Sequence, residues 1–265
     1  MQLLSGKLIN LRIFLVEECR RDILFKKNKN SLSMDSMQNG VKVITVANPS
    51  SVISEQFKTI RTNIQFSNAD YKYKKLMITS STVSEGKSTV SANIAVTFAN
   101  QGLRTILVDA DLRRPTISAT FGIVSSEGVT NFLTNHEFSP KKITYKTSVN
   151  NLFVMPSGPV PPNPAELINS NRMDELISYL SENFDLVIYD APPVLSVTDA
   201  QILSTKVEGT ILVVRENHVE KGAVRQALSL LSNVNAKVIG TIINDVEINE
   251  DEGYYGYYGV KDKRK

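Results

Sequence analysis

The sequence predicts an α/β fold: a doubly wound, mainly parallel sheet with helices on both faces. Two observations predict it. Apolar runs alternate with helical stretches from Lys75 onward, with no internal repeat. The runs are also near-continuously apolar, as strands are when helices cover both sides of a parallel sheet. The expected strands are Leu76–Ser80, Thr105–Asp109, Leu152–Met155, Leu186–Asp190, Thr210–Val214 and Val238–Ile243. The helices expected between them are Ser88–Gln101, Arg172–Asn183 and Val219–Val234, the pattern of an open, doubly wound domain. A further helix is expected over Ser54–Phe66. There Phe57, Ile60 and Ile64 share one face, and Glu55, Lys58 and Arg61 form a polar stripe on another.

The two ends differ from this middle. Residues 1–33 are mixed and basic, and are expected to be a disordered extension; 34–50 read as a linker with a short strand over Val41–Val46. Residues 51–246 form the expected domain. Residues 247–265 hold Tyr254, Tyr255, Tyr257 and Tyr258 among glycines and charges, with too little aliphatic surface to offset the entropy of ordering. They are expected to form a flexible tail.

Composition narrows the function classes. A net charge of +3 is too small for a nucleic-acid binder, and no basic stripe stands out, so no nucleic-acid partner is expected. Cys19 is the only cysteine, which rules out an internal disulfide and suits a reducing cytoplasm. No run of 18 apolar residues is present, so no membrane-spanning helix is expected.

Chemistry concentrates at the strand ends. After the first strand come Ser81, Thr82, Val83, Ser84, Glu85, Gly86, Lys87, Ser88 and Thr89, and then a helix. This is the Walker A pattern of a P-loop NTPase-type fold, with Ser81 in place of the first glycine. Inward-pointing backbone N–H groups of Ser84 to Thr89 cradle phosphates, Lys87 supplies a point charge, and Ser88 offers a hydroxyl to Mg²⁺. Two more strands end in carboxylates, Asp109 with Asp111 and then Asp190. Ligands in open α/β sheets bind at the carboxyl ends of strands, so all three should converge near Ser88 as metal-binding and catalytic groups. The conventional protein-kinase signatures H-R-D, D-F-G and V-A-I-K are absent, and His136 and His218 are the only histidines. Partitioning-type ATPases carry an extra lysine five positions before the P-loop lysine; here that position is Thr82.

Ser81–Thr89, Ile106–Pro115, Val187–Pro193, the Pro-rich run Ser157–Leu167 and the tyrosine-rich end together resemble the bacterial tyrosine kinases. The form they resemble is the separate kinase of capsule and exopolysaccharide systems, and the resemblance covers about residues 51–259. It implies an ATP- and Mg²⁺-dependent protein-tyrosine autokinase that phosphorylates Tyr254, Tyr255, Tyr257 and Tyr258. Asp109 and Asp111 become the Walker A′ pair, one of which, Asp109 before Asp111, orients or deprotonates the attacking phenol, and Asp190 the Walker B carboxylate. Asn244 and Arg215 are implied near the base. Glu55, Lys58 and Arg61 match a helix motif for assembly into a ring, an octamer, with Lys58 in place of an arginine. The implied partners are a membrane adaptor of the polysaccharide co-polymerase type and a cognate tyrosine phosphatase. The implied location is cytoplasmic, at the inner face of the plasma membrane. The alternative readings are a partner-stimulated partitioning-type ATPase and a nucleotide-dependent scaffold.

Overall fold

A computed structural model describes residues 35–68 and 72–246. Among these, seven strands form one sheet: β1 (Lys75–Ser80), β2 (Thr105–Asp109), β3 (Tyr145–Lys146), β4 (Leu152–Met155), β5 (Leu186–Asp190), β6 (Gly209–Arg215) and β7 (Val238–Asn244). Their spatial order is β3-β4-β2-β5-β1-β6-β7. All neighbours are parallel except β3, which pairs antiparallel with β4. The central strands agree with the apolar runs in the sequence. The sequence did not reveal β3, which is too short to carry a pattern.

Helices cover both faces. α1 (residues 35–39), α2 (Ile44–Ala47), α3 (Val52–Phe66) and α4 (Lys87–Ala99) come before β2. α5 (Ile117–Phe121), α6 (Val129–Thr134), α7 (Pro164–Asn169), α8 (Asn171–Asn183), α9 (Asp199–Ser204) and α10 (Lys221–Asn233) follow. The pleat divides the core between the faces. From β1, Leu76 and Ile78 join α2, α3 and α4 in one apolar cluster, while Met77 between them joins α6, α8, α9 and α10 in the other. On α3, Phe57, Ile60 and Ile64 are all buried, as the helical spacing predicts. Each contributes about 1.5–3 kcal/mol relative to an exposed side chain. Ser51 caps this helix by accepting from the Ser54 N–H.

Within the expected linker 34–50, residues 35–50 are described and form more than a linker. Over Val41–Val46 the chain forms no strand; Ile44–Ala47 is a helix, and Ile44 and Thr45 are buried against α3 and α4. The cause is tertiary. Asn93, deep in α4, accepts from the Thr45 N–H at 3.0 Å and donates to the Lys42 carbonyl at 3.0 Å. Thr120 of α5 accepts from the Val41 N–H at 3.0 Å. These anchors satisfy a backbone that has no neighbouring strand to pair with, and they make the segment one wall of the cavity described next.

Candidate active site

The loop between β1 and α4 carries the Walker residues. Gly86, at the N-cap of α4, has φ +89°, in the left-handed region that glycine reaches without a Cβ penalty. A Cβ there would lie 2.1 Å from Asn244 Nδ2, so a larger residue would have to displace the Asn244 side chain. Lys87 and Ser88 open α4, where unpaired N–H groups and the helix dipole favour an anion.

β2 and β5 are neighbours with Asp109 opposite Asp190, and the Ala110 N–H extends the ladder to the Asp190 carbonyl at 2.9 Å. The chain then turns out of the sheet, bringing Asp111 over the loop. The Lys87 ammonium lies 2.9 Å from Asp111 Oδ2, 3.5 Å from Asp190 Oδ2 and 3.2 Å from Ser88 Oγ. Burial works against this ammonium, yet Asp111 and Asp190 hold it above its ordinary pKa. Burial raises Asp190, with Lys87 opposing. Burial, reinforced by the nearby Asp190, raises Asp109 to about 8.

The paired aspartates divide. Asp109 is fully buried, and its Oδ2 accepts from the Thr116 and Ile117 N–H groups, both at 3.0 Å. It therefore braces the start of α5. A cavity of about 430 Å³ runs along the loop, and Asp111 lines it while Asp109 does not. Of the pair, only Asp111 reaches the cavity.

Ser84, Gly86, Lys87, Ser88 and Thr89 line the same cavity, together with Arg215 and Asn244. Glu85 does not: it is buried behind the loop, accepting from the Thr82 N–H and hydroxyl and from the Arg215 N–H. Of this loop residue only the main chain can face phosphate. Asn244 Nδ2 donates to the Glu85 carbonyl at 3.0 Å, and Arg215 pairs with Asp245 at 2.7 Å. Glu55, Lys58 and Arg61 lie on α3; Lys58 pairs with Glu55 at 2.6 Å, and Arg61 donates to the Thr97 carbonyl at 3.3 Å. Tyr254, Tyr255, Tyr257 and Tyr258 lie outside the described residues.

Several contributors escaped the sequence reading. Ser91 donates to Asp190 Oδ1 at 3.1 Å. It follows Ser88 by three positions, so helical spacing could have found it. Arg113 makes a two-point contact with the buried Asp199, Nε–Oδ2 at 2.9 Å and Nη2–Oδ1 at 3.2 Å, tying the turn after β2 to α9. Arg114, Thr116, Val41 and Lys42 line the cavity. No local pattern marks these residues.

The donor set fits Mg²⁺. Buried Asp109 Oδ1 has no hydrogen-bond partner, Asp190 Oδ2 is ion-paired with Lys87, and the Ser88 hydroxyl and Asp111 Oδ2 converge on that same ammonium. Among the described residues no group of three or more His, Cys, Asp or Glu could hold a metal by itself. Mg²⁺ needs no such cage, because it keeps waters and takes phosphate oxygens beside one or two carboxylates.

Known proteins resemble this chain in sequence and fold. Residues 72–252 match the family model described as the NUBPL iron-transfer P-loop NTPase, of the ParA group. Tyrosine-protein kinase YwqD of Bacillus subtilis is 41% identical over 237 residues, covering 89% of this chain and 97% of that protein. Tyrosine-protein kinase CpsD of Streptococcus agalactiae is 37% identical over 213 residues, covering 80% and 92%. The crystal structure of the chimerical protein CapA2B2 superposes with a TM-score of 0.75 at 33% identity, over 83% of this chain and all of that one. Among the described residues no helix is long and apolar enough to cross a membrane.

Proposed function

The chain belongs to the bacterial tyrosine kinases, built on the P-loop NTPase fold, and from that premise we propose that it is an autokinase. It transfers the γ-phosphate of ATP to Tyr254, Tyr255, Tyr257 and Tyr258 of its own tail, and so regulates capsular or exopolysaccharide synthesis and export. The observation that carries this reading is the junction of site and tail. Asn244, the last residue of β7, and Asp245 after it line the cavity, and the chain runs from there towards the tyrosines. From Asn244 to Tyr254 the reach is about 35 Å at about 3.3–3.6 Å per residue, enough for the chain's own site or a neighbour's.

The residues divide the work as follows. The N–H groups of the loop and the start of α4 hold the phosphates, and Lys87 moves from the carboxylates to the β and γ phosphates. Ser88 and Asp190 would hold Mg²⁺, which would supply charge neutralisation of the phosphates. A phenol with a pKa near 10 needs help at neutral pH. Asp111 Oδ2, once Lys87 leaves it, receives the phenol proton as the tyrosine O–P bond forms and the bond to the ADP oxygen breaks. Asp109 fixes the turn that carries Asp111. Arg215 and Asn244 border the base. Glu55, Lys58 and Arg61 serve assembly into a ring, an octamer. A membrane adaptor of the polysaccharide co-polymerase type recruits the kinase to the inner face of the plasma membrane, and a phosphatase reverses its action.

The match to a ParA-group model favours a second reading, a partner-stimulated ATPase. Thr82 speaks against it, because the position of the extra lysine is occupied by a side chain bonded within its own loop. One experiment separates them. The chain is incubated with ATP and Mg²⁺, with and without the adaptor's cytoplasmic tail, and phosphotyrosine and released phosphate are measured. The kinase reading expects phosphotyrosine that disappears when the four tail tyrosines become phenylalanine. Labelling of that variant as strong as the parent's refutes the role of the tail, and phosphate release without phosphotyrosine favours the ATPase.

A further inference from the structure

Gly86 is the only glycine between Ser80 and Thr89. A phosphate loop of ordinary residues must still aim its N–H groups inward. If nothing held it, each binding event would have to order it, at a cost in affinity. The structure shows what holds it. Glu85 sits at the tip of the loop, yet its side chain is completely buried and faces away from the cavity. One carboxylate oxygen accepts from the Thr82 N–H and, at 3.1 Å, from the Thr82 hydroxyl. The other accepts from the Arg215 N–H at 3.1 Å, at the end of β6. The main chain is tied down in the same place. Asn244 Nδ2 donates to the Glu85 carbonyl at 3.0 Å, and Arg215 Nη1 to the Ser84 carbonyl at 3.4 Å.

A carboxylate here has two costs. Its burial is unfavourable and raises its pKa. Its charge also lies in a loop built to attract anions, where it repels phosphate. Neither cost is explained by phosphate contact, which the side chain does not make.

We propose that Glu85 is a positioning residue, whose carboxylate staples the start of the phosphate loop at Thr82 to the end of β6 at Arg215 and so preorganises the loop for nucleotide. The staple fixes the loop's shape before the ligand arrives. Both oxygens are needed as acceptors, so the amide of Glu85→Gln would turn an N–H₂ towards an N–H donor. Glu85→Asp keeps the charge but is one methylene shorter, and can hold one end of the staple at a time.

The assignment rests on the nucleotide-binding reading, and the test reads binding rather than catalysis. Affinity for a fluorescent ADP analogue is measured with Mg²⁺ for the parent, Glu85→Gln and Glu85→Asp, well below the unfolding temperature of each. Unfolding temperatures are recorded in parallel. The positioning role predicts affinity about tenfold weaker in Glu85→Gln, with Glu85→Asp intermediate. A mere bystander charge predicts the opposite sign, with Glu85→Gln binding ADP more tightly because a repulsive charge has gone. A merely structural role predicts a lower unfolding temperature with unchanged affinity. Either of these last two results, with the parent binding normally, overturns the assignment alone. A parent that binds no ADP overturns the nucleotide reading with it.

Discussion

Replacing Lys87 with methionine removes the only cation that touches Asp111 and Asp190 among the described ion pairs. Its catalytic consequence is plain, since the phosphates lose their point charge. The structure predicts a second consequence, in the nucleotide-free fold. Lys87 is only 13% exposed, and its partners 4% and 0%. Deleting one partner of a buried pair strands the other charge and costs about 3–5 kcal/mol. A surface substitution costs within about 0.5 kcal/mol. At about 2–4 °C per kcal/mol for a domain of this size, even about 3 kcal/mol lowers the unfolding temperature by about 6–12 °C. The deficit depends on pH. Burial already raises Asp109, to about 8, and Asp190. A carboxyl whose folded pKa is raised gives stability that is full below its unfolded value, near 4, and is lost as pH rises through the folded value. Losing the ammonium raises these pKa values further, so the deficit should be larger at pH 8 than at pH 6. Mg²⁺ at about 10 mM should restore part of it by occupying the vacated point, and should do so without nucleotide. The assay is urea unfolding of parent and Lys87→Met at both pH values, with and without MgCl₂. Equal stability at pH 8, or a deficit that Mg²⁺ leaves untouched, would refute the view that Lys87 stands where the metal belongs.

Two further outcomes test the same frame. Asn at position 109 keeps an oxygen for the Thr116 and Ile117 N–H groups and removes a charge from the buried cluster. Asp109→Asn should therefore stabilise the fold by about 1–2 kcal/mol at pH 8, with the gain shrinking towards pH 5 as the parent's carboxyl holds its proton, while tyrosine phosphorylation falls. Stability curves against pH and phosphotyrosine assays on the same preparations check both halves. Gly86→Ala should cost about 1–2 kcal/mol for the left-handed backbone and about 1 kcal/mol more for the displaced Asn244 hydrogen bond. Only the first cost should remain in an Asn244→Ala background, and a penalty of equal size in both backgrounds, by urea unfolding, would count against the contact.

By itself the sequence determined the alternation of strand and helix, the Walker loop in its strand-to-helix context, and three carboxylates at strand ends. These rest on local causes: apolar periodicity, a glycine before a helix start, and an aspartate closing an apolar strand. Tertiary structure decided the rest. Asp109 and Asp111 are two residues apart with the same chemistry. Only the one-residue extension of the ladder to Asp190, followed by the turn, puts Asp111 on the cavity and Asp109 beneath α5. Residues 41–46 carry the β-branched residues of a strand, but no strand lies beside them, and anchors from Asn93 and Thr120 hold the segment instead. Glu85 read as part of a phosphate cradle because its neighbours are; its side chain turned inward because its hydrogen-bond donors lie on β6 and at the loop's own start. Sequence spacing carries what the nearest four residues decide, and these positions were decided by partners as far away as Arg215.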